Sequence, residues 1–219
     1  MTKLAIFDCD GTLVDSQANI CMAMEHAFEE AGLTPPMRHE TRRVVGLSLV
    51  ESMRMLLPEA ADDLHHDLAD KYRSAFWTLR SNGLVDEPLY DGMAALLSSL
   101  DESGWMLGVA TGKSDRGLTR CLDHHALRPL FVTLQTADRH PSKPHPSMVY
   151  QALAEAGADA ANAVVIGDTV YDIHMGRAAG TRTVGVNWGY HSVDDLREAG
   201  ADYIAESMDD LKVYLENFA

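Results

Sequence analysis

The chain has 219 residues, 46% of them hydrophobic, and it sets 18 basic side chains against 33 acidic ones, a formal net charge of −15. That length can bury a full core and fits one domain with an insertion or two modest domains. A chain this acidic is no general nucleic-acid binder, which needs clustered Lys and Arg, and an anionic substrate must be drawn in by a local feature because the global field repels it.

Lys3 to Phe7 is short and apolar and is followed by a polar turn, the pattern of a buried strand. Asp8 to Asp15 is then a loop opening into a helix. Residues Ala18 to Ala31 carry a helical pattern that stops at Gly32, with Pro35-Pro36 beyond. Two further helices are expected over Thr41–Leu57 and Ala60–Arg80, with breakers at Pro58 and Gly83. Strand patterns resume at Met106–Ala110, Phe131–Gln135, Ala163–Gly167, Thr183–Val186 and, weakly, Asp202–Ile204. Helical patterns separate them at Met93–Ser103, Arg116–His124, Ser147–Gly157, Asp172–Ala179 and Asp194–Ala199. This alternation predicts an α/β fold, a Rossmann-like parallel sheet covered by helices on both faces. The first strand belongs to that sheet, so residues 16–84 read as a helical insertion and 1–15 with 85–219 as the core.

Ligands of such a sheet bind beyond the carboxyl ends of its strands. Two places there are rich in acids: Asp8 and Asp10 after the first strand, and Asp168 and Asp172 after Val164-Val165-Ile166-Gly167. Two more loops supply Thr111-Gly112-Lys113 and Ser142-Lys143-Pro144. Carboxylates brought together cannot all stay ionised without a compensating cation. An all-oxygen set suits a hard ion, Mg²⁺ more than Zn²⁺. The same set has the parts for covalent phosphoryl transfer: a carboxylate nucleophile, a neighbouring acid/base, and a cation at the developing charge. Asp8 and Asp10 are two residues apart, so an extended backbone aims them the same way and turns Cys9 away from them.

Four segments in order resemble the motifs of the haloacid dehalogenase-like (HAD) superfamily: Asp8-Cys9-Asp10-Gly11-Thr12-Leu13-Val14-Asp15-Ser16; Val109-Ala110-Thr111-Gly112-Lys113; Lys143-Pro144-His145-Pro146; and Gly167-Asp168-Thr169-Val170-Tyr171-Asp172. The likeness covers essentially the whole chain, and the insertion resembles the small helical cap of the phosphoglycolate phosphatase and sugar-phosphate mutase branch. The resemblance implies that Asp8 is the nucleophile and Asp10 the acid/base. It implies that Thr111, Gly112 and Lys143 bind phosphate, with Lys143 also restraining Asp8. It implies a Mg²⁺ site made by Asp8, the backbone carbonyl of Asp10, Asp168 and Asp172. The implied activity is Mg²⁺-dependent hydrolysis of a small phosphomonoester, phosphoglycolate-like or a sugar phosphate. A pyrophosphatase, a β-phosphoglucomutase-like phosphomutase and a non-catalytic phospho-acceptor protein are the alternatives.

The segment Thr41-Arg42-Arg43-Val44-Val45-Gly46-Leu47-Ser48 resembles the cap segment that holds the substrate-specificity loop. Gly46 permits close approach of the backbone to a substrate. Arg42 and Arg43 either meet a substrate anion or decorate the outer face of the cap. Leu49 stands where β-phosphoglucomutases carry an arginine, which favours hydrolysis over mutase chemistry. The retained Asp10 argues against the dehalogenase branch. The histidine pairs His65-His66 and His124-His125 cannot face one site on a helix; His140 and His145 flank Lys143 and have either a loop or a pocket role.

Three cysteines, Cys9, Cys21 and Cys121, are odd in number and widely spaced, which argues against a disulfide framework and a cysteine zinc cluster. No signal-peptide pattern and no run near the ~18 apolar residues of a membrane span is evident. The expectation is a cytoplasmic monomer or homodimer whose partner is a small phosphorylated metabolite, with no nucleic-acid or membrane partner.

Overall fold

The computed structural model describes residues 2–218; Met1 and Ala219, the ends of the expected core segments, lie outside them. In chain order the elements are β1 (Leu4–Phe7), α1 (Gln17–Glu30), α2 (Arg38–Val44), α3 (Leu49–Leu56), α4 (Asp62–Ser81), α5 (Met93–Glu102), β2 (Met106–Thr111), α6 (Asp115–His124), β3 (Phe131–Thr136), α7 (Ser147–Ala156), β4 (Ala163–Gly167), α8 (Val170–Ala179), β5 (Arg182–Val186), α9 (Val193–Glu198), β6 (Tyr203–Ala205) and α10 (Met208–Glu216).

The six strands form one sheet in the order β3-β2-β1-β4-β5-β6, and every neighbouring pair runs parallel. β1 shows why its four residues are all apolar. It lies mid-sheet, and its side chains alternate between two covered faces: Ala5 and Phe7 join one buried cluster, Leu4 and Ile6 the other. α5, α6 and α10 cover the first face through Met93, Leu97, Leu118, Leu122, Leu211 and Leu215, and α7 and α8 cover the second through Met148, Val149 and Met175.

The chain leaves β1 toward β2 and β3 on one side and later fills β4, β5 and β6 on the other. The crevice at that change of direction lies between the ends of β1 and β4, the place where doubly wound sheets bind ligands. Asp8 and Asp168 are the residues directly after those two strands.

Helices α1 to α4 pack over that edge and bury a cluster of their own, built on Met24, Ala27 and Phe28 of α1, Met53 of α3, and Leu68, Ala69 and Tyr72 of α4. The single helix expected over Thr41–Leu57 is instead two, α2 and α3. Gly46 lies between them at φ +97°, a left-handed conformation that ends a right-handed helix and that glycine adopts without strain. α10 was not expected; Ser207 caps it by accepting a hydrogen bond from Asp210 N–H. Among the described residues no helix is long and apolar enough to cross a membrane.

Candidate active site

The loop after β1 curls tightly, with Leu13 N–H and Val14 N–H both donating to the Cys9 carbonyl at 2.9 and 3.0 Å. Asp8 and Asp10 emerge from it to line one cavity, while Cys9 turns into the core beside Cys121, sulfur to sulfur 3.9 Å. That contact first, and burial second, push the Cys9 thiol far above its ordinary range, so it is no nucleophile.

Asp8, Asp168 and Asp172 converge, with one oxygen of each within 4.8 Å of the others. Each is held differently. Asp168 accepts from Thr12 Oγ1 at 2.8 Å and from Tyr190 N–H at 2.9 Å. Asp172 accepts from Lys143 Nζ at 2.6 Å through one oxygen, and from Thr169 N–H and Oγ1 at 3.1 and 2.7 Å through the other. Asp8 lies 2.9 Å from Lys143 Nζ, yet neither of its buried oxygens has a hydrogen-bond partner among the described residues. Glycine makes room for the cluster. A Cβ on Gly11, which sits at φ +87°, would stand on the Asp168 carboxylate, and one on Gly189 would strike the same side chain.

The electrostatics follow. Burial raises the Asp8 carboxyl to about 7, helped by Asp172 and opposed by Lys143. Asp168 is pushed well above the carboxylate range by burial, then by Asp8 and Asp172. Burial works against the Lys143 ammonium, but Asp172 and Asp8 outweigh it and raise its affinity for the proton. Three carboxylates against one ammonium leave a formal surplus of two negative charges in a buried place. With Asp8 met only by the Lys143 ammonium among the described residues, this set fits a hard divalent cation.

Asp10 stands apart from that cluster. Its carboxylate is 2.8 Å from Lys113 Nζ and also accepts from the Ser16 hydroxyl. Lys113 in turn reaches Glu87 at 2.7 Å, and Glu87 pairs with Arg80 at 2.6 Å.

The cavity has a volume of about 270 Å³ and lies between the sheet edge and the helical insertion. Thr111, Gly112 and Gly46 line it together with Asp8 and Asp10. Lys143 does not line it: its side chain is fully buried behind Asp8, between that residue and Asp172. Arg42 and Arg43 do not line it either. Arg42 donates to Gln17 Oε1 at 3.0 Å, and Arg43 extends toward Asp195 at 3.7 Å. The side chains of the short helix α2 that face the cavity are Thr41 and Val44. His140 bonds Gln135 and Ser147 at 2.8 Å each and, like His145, lies outside the cavity. Leu49 lines it.

The insertion is seated on the core by its main chain. Ser48 N–H donates to Ser142 Oγ at 2.9 Å, while Tyr171 Oη–H and His191 Nε2 approach the Arg43 carbonyl at 3.0 and 3.2 Å. Gly112 faces the carbonyls of Leu47 and Gly46, where a Cβ would lie 2.5 and 2.8 Å from their oxygens.

Sequence reasoning missed Thr12, Lys113 and Glu87. Thr12 lies two residues from Asp10 and Lys113 two from Thr111, both inside segments already quoted, and that membership was the available signal. Glu87 gives none, being 77 positions from Asp10.

Comparison with known proteins agrees with this geometry. The family model for haloacid dehalogenase-like hydrolases matches residues 5–186. The chain is 32% identical over 216 residues to the probable phosphatase IndB of Dickeya dadantii (strain 3937), covering 96% of this chain and 92% of that one. It is 31% identical over 207 residues to the pyrophosphatase PpaX of Bacillus pumilus (strain SAFR-032), covering 94% and 93%. The crystal structure of a hydrolase from Pseudomonas syringae superposes with a TM-score of 0.87 at 26% identity over the full length of both chains. Sheet order, carboxylate cluster and sequence likeness converge, and the chain belongs to the haloacid dehalogenase-like hydrolase family.

Proposed function

We propose that this protein is a Mg²⁺-dependent phosphatase of small phosphomonoesters that works through a phosphoryl group carried on Asp8. The observation that carries the reading is the Asp8 carboxylate itself: buried, paired with Lys143 alone among the described residues, and facing a cavity that Asp10 shares.

An oxygen of Asp8 attacks phosphorus as the bond to the ester oxygen breaks, and protonated Asp10 gives its proton to the departing alkoxide. Ionised Asp10 then takes a proton from a water that attacks the same phosphorus. The phosphorus–oxygen bond to Asp8 breaks, and inorganic phosphate leaves. Thr111 Oγ1 and the Gly112 N–H are donors for the phosphoryl oxygens, and Lys143 orients Asp8 and offsets its charge. Asp8 and Asp168, with Asp172 in support, would hold Mg²⁺, the resemblance adding the Asp10 carbonyl, and the ion would supply positive charge to the phosphoryl oxygens.

Leu49 on the cavity wall supports hydrolysis over phosphomutase chemistry, since it stands where β-phosphoglucomutases carry an arginine. The likeness to PpaX supports pyrophosphate as a second substrate reading with the same chemistry. Three buried free cysteines fit a reduced cytoplasm, and the acidic surface fits the absence of a nucleic-acid partner.

The test is phosphate release from p-nitrophenyl phosphate, pyrophosphate and a panel of metabolite phosphates, with Mg²⁺ and with EDTA. Release that needs Mg²⁺ and vanishes in Asp8→Asn is expected. No metal-dependent release from any of them sinks the reading, and a phosphoryl adduct on Asp8 that persists for hours favours a phospho-acceptor instead.

A further inference from the structure

We propose that Arg116 and Arg120 form a receptor for a second anionic group of the substrate, at the outer end of the cavity that Asp8 closes at its inner end. The inner group's identity rests on the phosphatase reading above; the receptor does not.

Burial gives the cavity a direction. Asp8, Asp10 and Thr111 are buried, whereas Trp77 and Arg116 of the same lining are exposed. Arg116 and Arg120 stand one helical turn apart on α6, with their guanidinium carbons 4.0 and 4.5 Å from the centre of the Trp77 ring. A guanidinium stacked on an aromatic face keeps its in-plane N–H groups free for a bidentate acceptor.

Neither arginine has an oxygen acceptor among the described residues. Every other arginine of the chain reaches one, whether carboxylate, side-chain amide or main-chain carbonyl. In a chain with 33 acids and 18 bases, the two arginines left without an oxygen line the same cavity as the proposed nucleophile. They also repel one another: burial, then Arg116 and Arg80, make Arg120 a weaker base than usual. An anion bound by them relieves that repulsion, and the pair is a locally positive place on an otherwise acidic chain. The rest of the lining includes the apolar side chains of Ile20, Met24, Val44 and Phe76, alongside polar ones such as Arg80, which is paired with Glu87. The substrate class that fits is a compact phosphomonoester with a short hydrocarbon body and a carboxylate or a second phosphate at its far end.

The test is equilibrium binding by titration calorimetry to the Mg²⁺-loaded protein, so that turnover is not required. The probes are propylphosphonate, 3-phosphonopropionate and propane-1,3-bisphosphonate. Wild type is expected to bind at least one of the two doubly anionic probes at least tenfold more tightly than propylphosphonate, and which of the two wins tells carboxylate from phosphate. The double variant Arg116→Met/Arg120→Met is expected to lose that ratio. Arg128→Met, which removes a positive charge elsewhere, is expected to keep it, and Arg120→Glu is expected to shift preference toward 3-aminopropylphosphonate. A wild-type ratio near one, a ratio retained in the double variant, or a ratio lost equally in Arg128→Met overturns the proposal. A purely mechanical role for the Trp77 contact would weaken all three probes alike, which also overturns it. Phosphate release is read separately: an intact binding preference without any release would remove the phosphatase reading and leave the receptor standing.

Discussion

Lys113 Nζ lies 2.8 Å from Asp10 Oδ1, which fixes the side chain assigned to proton transfer from the loop after β2. Glu87 anchors the same ammonium at 2.7 Å, and burial, which disfavours the charged lysine, is outweighed by Asp10 and Glu87. The arrangement sets the angle of Asp10 without using its whole carboxylate.

Lys113→Met should therefore lower kcat more than it raises KM. A positioned acid/base contributes ~10²–10⁴-fold, and loss of its orientation should cost ~10–100-fold of that. Steady-state kinetics on one good substrate check this, with circular dichroism to confirm that the variant is folded.

Lys143→Met removes the cation that lies between Asp8 and Asp172 and leaves three buried carboxylates together. Breaking a buried ion pair from one side typically costs about 3–5 kcal/mol. Urea denaturation in EDTA should show a loss of that order, and Mg²⁺ should recover part of it. Equal stability of variant and wild type in EDTA would contradict the reading of Lys143 as the charge that holds this site together.

Stability of the metal-free protein should fall as pH rises. Asp8 titrates from about 7 in the fold against an ordinary value of 3.8 in the unfolded chain, so the native state binds this proton more tightly. The associated stability is complete below about 3.8 and is lost progressively up to about 7. Asp168 is raised as well and acts in the same direction. Denaturation in EDTA at a series of pH values should show this slope in wild type and a weaker one in Asp8→Asn. Mg²⁺ competes with the proton, so its stabilising effect should grow across the same window.

Gly112→Ala should separate the insertion from the core without unfolding either. The added methyl would lie 2.5 Å from the Leu47 carbonyl oxygen, backbone that cannot swing aside as a flexible side chain can. The α2–α3 turn must then lift away, opening the cavity to water. Activity should fall at least tenfold, as misplacement of about 1 Å far from the chemistry can cost far more, while thermal stability changes little. Faster proteolysis within 38–56 would report the lifted turn.

How much of this was legible in the sequence depended on the range of the physics involved. Strands β1 and β4 announce themselves because both their faces are buried and every residue is apolar or glycine. The acids Asp8, Asp10, Asp168 and Asp172 follow those strands directly, so the topology alone gathers them. The split at Gly46 was hidden because a helical period does not register one left-handed residue. Type and neighbourhood left Arg42 and Arg43 equally able to meet a substrate anion or to decorate the outer face of the cap. Which way a short helix turns its charged side chains is decided by Gln17 and Asp195, partners remote in sequence. Lys143 was expected to touch phosphate, and its burial between two carboxylates reflects three-dimensional packing that no local pattern encodes.

The insertion meets the core through the carbonyl of Arg43, the amide of Ser48 and the bare face of Gly112. Atoms that every residue possesses make up the insertion's side of these contacts, with the Arg43 side chain toward Asp195 and the Met55 sulfur accepting from Tyr171 added to them. Val44, Val45 and Leu49 line the chamber without taking part in those contacts, so exchanging them reshapes the chamber first. The fold thus largely separates the fastening of the insertion from the fitting of the chamber it closes.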